Sequence, residues 1–155
     1  MTDARRILEA SGTVLLVDWP NPGVPRALLD AAFKVFSFCP GRYSVAELVA
    51  DRPPDLDGQD IFAPGTEEER GCLVFRRIEG RPGGVGIVYV HRPAEELAGI
   101  VANQILPLGA KVVWLQPPVS STEIHEAQRL AREHGLVCVH DADIAEMARA
   151  VARTR

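Results

Sequence analysis

Apolar and polar positions alternate along this chain in two distinct rhythms. Residues 13–17, Thr-Val-Leu-Leu-Val, form an unbroken β-branched and apolar run. Such runs suit a strand covered on both faces, as in a parallel sheet. Residues 33–38, Phe-Lys-Val-Phe-Ser-Phe, alternate enough to predict a second strand, and 85–90, 111–115 and 136–140 predict three more. Between them, apolar residues recur at helical spacing. A first helix over 3–10 is capped by Asp3 and turns Ile7 and Leu8 inward. A second carries Pro25 in its first turn, where the missing N–H is not needed, and runs through Leu28, Leu29 and Ala32. A third opens at Pro93 with Leu97, Ile100, Val101 and Ile105 on one face. Ser120-x-x-Glu123 is a capping box that starts a fourth, with Ile124, Ala127, Leu130 and Ala131 inward and Gly135 at its end. Asp143 caps a last helix that finishes in Arg149, Arg153 and Arg155, cations suited to the negative end of the helix dipole.

Strands alternating with helices imply βαβ units, a mainly parallel sheet and right-handed crossovers. The expected fold is therefore a three-layer α/β sandwich in a single domain over residues 1–155. Residues 42–84 are the exception. Pro53-Pro54, Asp57-Gly58 and Pro64-Gly65 mark turns, Ser44 to Ala50 reads as a helical turn, and 72–75 as a short strand. The stretch reads as an irregular excursion, a loop or lid.

Composition narrows the class. With 155 residues, 46% of them hydrophobic, the chain is long enough for a core without staples. Its net charge of −4, with arginines spread along the chain apart from the adjacent pairs Arg5-Arg6 and Arg76-Arg77, argues against nucleic-acid binding. No apolar run reaches the roughly 20 residues of a membrane helix. Three cysteines, Cys39, Cys72 and Cys138, stand far apart, and the amino terminus lacks the pattern of an export signal. A reducing cytoplasm is expected, without a disulfide framework. Cys138 alternates into a strand and is expected in the core.

Ligands of open parallel sheets bind beyond the carboxyl ends of the strands, at the switch in strand order. That rule selects Asp18 to Arg26, Cys39 to Arg42, His91-Arg92-Pro93, Gln116-Pro117-Pro118 and His140-Asp141. The helix start near Pro25 offers amides to a phosphate, and Arg26 and Arg92 offer charge-assisted contacts. Asp18 is a general base, a ribose ligand or a turn former. Trp19 stacks on an adenine or covers its loop. Cys39 is a nucleophile or a small buried residue. Gln116 bonds a ligand or ties its turn together. His125 and His134 are expected in solvent. His140, Asp141 and Asp143 lack the spacing of a metal site, and none is expected.

These segments resemble a family. Val24-Pro25-Arg26 through Phe33-Lys34-Val35-Phe36-Ser37-Phe38-Cys39-Pro40 looks like its first crossover and second strand. His91-Arg92-Pro93 is similar to its Phe-Arg-x-Pro turn, and Gly109 to Gln116 to its strand ending in Trp-Leu-Gln. Ala127 to Val139 resembles the following helix and last strand. The family is the small single-domain CoA-binding proteins, Rossmann-type relatives of the CoA-binding domain of the succinyl-CoA synthetase α subunit. The resemblance implies CoA or an acyl-CoA as ligand, held by Trp19, Asn21, Gly23, Val24, Arg26, Cys39, Pro40, His91, Arg92 and Gln116.

This chain departs from the family on the ligand side. Asp18 stands where the family has glycine, ahead of a shorter loop. Cys39 replaces the Asn of Asn-Pro, His91 the Phe of Phe-Arg, and Ala142-Asp143 an Arg-Cys pair. Two other functions follow from those changes. One is an enzyme doing acid–base chemistry on an unrelated small molecule with Asp18, His91 and His140. The other is a degenerate member acting through protein–protein contact, and the apolar content allows a homodimer.

Overall fold

A computed structural model describes residues 3–154. Its elements run α1 (Ala4–Ala10), β1 (Thr13–Val17), α2 (Gly23–Asp30), β2 (Lys34–Cys39), β3 (Arg42–Val49), β4 (Ile61–Phe62), β5 (Cys72–Ile78), β6 (Ile87–Val90), α3 (Ala94–Ile100), α4 (Leu106–Leu108), β7 (Val112–Leu115), α5 (Ser121–His134), β8 (Val137–Val139) and α6 (Ile144–Arg153). A 3₁₀ turn (Gly58–Asp60) precedes β4, and a π-helical turn (Val101–Ile105) joins α3 to α4.

One eight-stranded sheet runs in the order β4-β5-β3-β2-β1-β6-β7-β8. The strands β2, β1, β6, β7 and β8 are parallel, whereas β3, β5 and β4 continue the sheet antiparallel. Period-two alternation splits the side chains of β1 between two cores. Val14 and Leu16 join Leu8, Leu28, Trp114, Ile144 and Ala148 on the face covered by α1, α2 and α6. Leu15 and Val17 join Leu97, Ile105, Val113 and Leu130 on the face covered by α3 and α5. The result is the expected Rossmann-like three-layer sandwich.

The predicted caps hold the helices. Asp3 accepts from the Arg6 amide, Ser120 from the Glu123 amide, and Asp143 from the amides of Ala145 and Glu146. Gly135 ends α5 at φ 68°, where a side chain would be strained. No helix among the described residues is long and apolar enough to cross a membrane.

Residues 42–84 correct the sequence reading. Ser44 to Ala50 is not a helical turn: residues 42–49 are the strand β3, paired along its length with β5 and hairpinned onto β2 through Gly41 at φ 88°. Ala46, Glu47 and Leu48 favour helix locally, but their pairing with Phe75, Val74 and Leu73 of β5 overrides that preference. The strand at 72–75 is longer than expected, reaching Ile78.

Two cysteines also differ from expectation. Cys39 is exposed, not a small buried residue, because it lies at the tip of the β2–β3 hairpin. Cys138 packs against the α3/α5 core but is only partly covered. Burial, with the nearby Asp141 carboxylate, pushes its thiol up to about 11. In a Cys72→Ser background at pH 8, an aromatic disulfide reagent should therefore modify Cys39 in the native protein and leave Cys138 intact until unfolding. Timed mass spectrometry of the labelled sites reads this. Comparable rates at the two thiols would contradict it.

Candidate functional site

The strand order fixes where a ligand can enter. The chain leaves β1 toward β2 on one flank, and after the antiparallel strands it returns to β6 on the other. The carboxyl ends of β1 and β6 therefore border the switch point, where crossovers diverge to opposite faces and leave a crevice. Asp18 and Trp19 follow β1; His91 and Arg92 follow β6.

An ion pair spans this crevice. Arg92 Nη1 donates to Asp18 Oδ2 at 3.1 Å, and its Nε and Nη2 donate to Glu96 Oε2 at 3.0 and 2.7 Å. Glu96 first and Asp18 second hold the guanidinium firmly charged. Glu96 lies in the first turn of α3, four residues after Arg92, which precedes the helix; the sequence reading does not include it. Asp18 sits at φ 67°, a left-handed conformation that glycine adopts freely and other residues rarely do. Its second oxygen accepts from the Trp19 amide at 2.8 Å.

Arg92 lines two cavities. One, of about 300 Å³, lies toward β2 and is walled by Trp19, Phe38, Cys39, Pro40 and Ile100 as well as Asp18. The other, of about 280 Å³, lies toward β7 and is lined by His91, Pro93, Gln116, Pro117, Pro118 and Glu123. Trp19 covers its loop by stacking on Phe75, with ring centroids 4.9 Å apart. His91 is exposed, and its amide prolongs the β1–β6 pairing by donating to Val17 O.

Gln116 ties its turn together. Its amide nitrogen donates to Pro117 O and to Asp143 Oδ2, and its oxygen accepts from the Tyr89 hydroxyl. Burial pushes the Tyr89 phenol well above its ordinary range, with Asp143 and then Asp18 adding to the shift, so the phenol stays a donor. Asp143 is thus both a helix cap and an anchor for the floor of the site.

Other expected ligand residues lie elsewhere or are already engaged. Arg26 is buried, donates to the carbonyls of Phe62 and Gly71 at 3.2 Å, and pairs with Glu69. It fastens the antiparallel strands to α2. Val24 belongs to the core. The start of α2 offers little to a phosphate: Asn21 Oδ1 accepts from Gly23, Asn21 O accepts from Val24, and Pro25 has no N–H. His140 follows β8, three strand spacings from β1, about 14 Å. Neither cavity beside Arg92 includes it. The structure thus places Asp18 and His91 beside Arg92 and His140 apart from them. Among the described residues, no group of three or more His, Cys, Asp or Glu side chains is placed to hold a metal ion.

Searches of the curated proteins and of the solved structures gave no match. The CoA binding domain family matches residues 40–145. That span runs from the β2–β3 hairpin to the first residues of α6, and it contains Arg92, the Trp-Leu-Gln strand and Gln116. Asp18 and the loop after β1 lie outside it. The match takes in more than half of the chain, and the chain belongs to the CoA binding domain family.

Proposed function

We propose that the protein binds CoA or an acyl-CoA in the crevice over β1 and β6, with Arg92 as the cation that meets its phosphates. The observation carrying this reading is that Arg92 stands at the switch point and lines the cavities on both sides of it. An elongated ligand laid across that edge would pass the guanidinium wherever it entered. Trp19, Phe38 and Pro40 supply apolar walls toward β2, and His91, Gln116 and Pro117 line the β7 side. Family membership supports the ligand class.

Binding in this pose requires Arg92 to exchange Asp18 for a phosphate. The exchange is inexpensive, because both side chains are substantially exposed and water screens such pairs. A phosphate oxygen accepts the same kind of charge-assisted hydrogen bond from the guanidinium as the carboxylate does.

Thermal unfolding with CoA, acetyl-CoA, NAD and ATP tests the reading. A ligand at 100 times its Kd stabilises the fold by about 2.7 kcal/mol. A shift with the CoA compounds alone is expected, and no shift with them would overturn the proposal. Calorimetry on Arg92→Gln should show CoA affinity reduced by about 10- to 100-fold, the value of one charge-assisted contact. Unchanged affinity would remove Arg92 from the site.

A further inference from the structure

The largest cavity described lies away from Arg92, where the antiparallel strands join the parallel ones. It measures about 750 Å³ and is lined by Arg42, Arg77 and Arg81 together with Phe38, Tyr43 and Gln104. Gly41, Ile78, Glu79 and Gly80 complete its wall. The antiparallel register explains the clustering. Cys39 pairs with Arg42, and Ser44 with Arg77, so the start of β3 and the end of β5 meet at the edge where β2 finishes; alternation sends Arg42 and Arg77 to the face opposite Phe38 and Tyr43, and they border the cavity from the strand ends. Arg81 follows on the loop after β5.

Three features make this cavity suited to an anion. First, two of its cations are unneutralised: among the described residues, neither Arg77 nor Arg81 has a carboxylate within ion-pair distance. Their neighbour Arg76 is held by Glu47 and Asp55, and Arg42 reaches Asp60 at 3.2 Å. In a chain of net charge −4, two such guanidinium groups at one concavity form a local positive field. Second, Glu79 is the one acidic side chain in the lining, against three arginines. Third, the floor is polar and fixed. The Tyr43 hydroxyl donates to Gln104 Oε1, and Gln104 is buried in the π-helical turn between α3 and α4. Phe38 and Tyr43 lie 5.2 Å apart and offer ring surface beside the charge.

We infer that this cavity is a phosphate-binding site separate from Arg92, which takes a phosphate group through Arg77 and Arg81. Guanidinium forks match phosphate oxygens in pairs, and the aromatic wall accommodates the uncharged part of the molecule that carries the phosphate. The site is built by strands β3 and β5 and does not depend on the crevice at Arg92. Its phosphate has two possible sources. It belongs to a separate phosphorylated metabolite, or to a distant phosphate of a molecule seated in the crevice, since Phe38 lines both cavities.

Calorimetry with inorganic pyrophosphate at low ionic strength, on the full chain, tests the assignment. The native protein should bind it. The double variant Arg77→Gln/Arg81→Gln should lose at least about tenfold in affinity. Arg129→Gln, on α5 and paired with Glu126 and Glu133, should bind as the native chain does. Undetectable binding by the native protein overturns the site. So does binding that survives the double change and is lost in Arg92→Gln, which would place the anion in the crevice. Repeating the titration with saturating CoA identifies the source. Pyrophosphate binding that persists and depends on Arg77 and Arg81 assigns a separate metabolite. Blocked binding, with CoA affinity lowered by the double variant, assigns a phosphate of the crevice ligand. If CoA does not bind at all, the reading of the crevice fails while the pyrophosphate result still decides this one.

Discussion

Replacing Asp18 with glycine should tighten CoA binding by at least about tenfold, with the stability of the fold changed by no more than about 1 kcal/mol. Two effects act in the same direction on binding. In the proposed pose the aspartate carboxylate stands at the strand end where a pyrophosphate would approach the backbone, and it competes for Arg92 Nη1 at 3.1 Å. Glycine removes the charge, opens the approach and leaves the guanidinium with Glu96 alone. On stability the effects oppose. An L-residue in the left-handed region costs about 1–2 kcal/mol, which glycine at φ 67° avoids. Against that, the exposed ion pair and the bond to the Trp19 amide are lost, and glycine has more conformational freedom to lose on folding. Calorimetry with CoA and urea unfolding of the same sample read both quantities. Weaker CoA binding by the variant would make Asp18 a ligand-contacting residue instead of a competitor.

Trp114→Ala should cost about 3–5 kcal/mol of folding stability, the range for a large aromatic side chain deleted from a packed core. Trp114 is fully buried at the centre of β7, between β6 and β8. Its indole N–H donates to the Ala142 carbonyl at 2.9 Å, which ties the β8–α6 connection to the sheet. Truncation leaves a void and an unbonded carbonyl. Trp114→Phe separates the two contributions. It keeps most of the packing and forfeits the hydrogen bond, a loss of about 1–3 kcal/mol if the carbonyl stays buried. Urea denaturation midpoints at constant slope are the measurement. A cost under about 1 kcal/mol for alanine would mean that the neighbouring side chains close the void, contrary to the usual behaviour of a core of this density.

The parallel half of the fold was legible because burial on both faces leaves a local mark. Val14 to Val17 and Val112 to Leu115 are continuous apolar runs, and Asp3, Ser120 and Asp143 announce their helices. The antiparallel half was not, because β3 is written in residues with good helix propensity and is held by partners about thirty positions away in sequence, such as Val74 for Glu47. The same limit applies to the site. Arg92 was identifiable from its place after β6, but its partner Asp18 is 74 residues distant. Arg26 had the right charge beside a helix start, yet sequence carries no direction for a side chain. This one turns to the Phe62 and Gly71 carbonyls instead of the sheet edge. Arg77 and Arg81 meet Arg42 only through the β3–β5 register.

The eight-stranded sheet ends on both sides in its shortest strands, two residues in β4 and three in β8. A strand border is a template for adding another chain, and its danger grows with the length of unpaired backbone. Here each border is too brief to recruit a neighbour in register. Where β5 extends past β4, the uncovered stretch carries Arg76 and Arg77, whose charges resist a second copy laid alongside. Arg77, offered to a ligand at one end of β5, thus stands on the same strand that needs protection from self-templated polymerisation, so neutralising it would remove the proposed anion contact and a barrier to aggregation together.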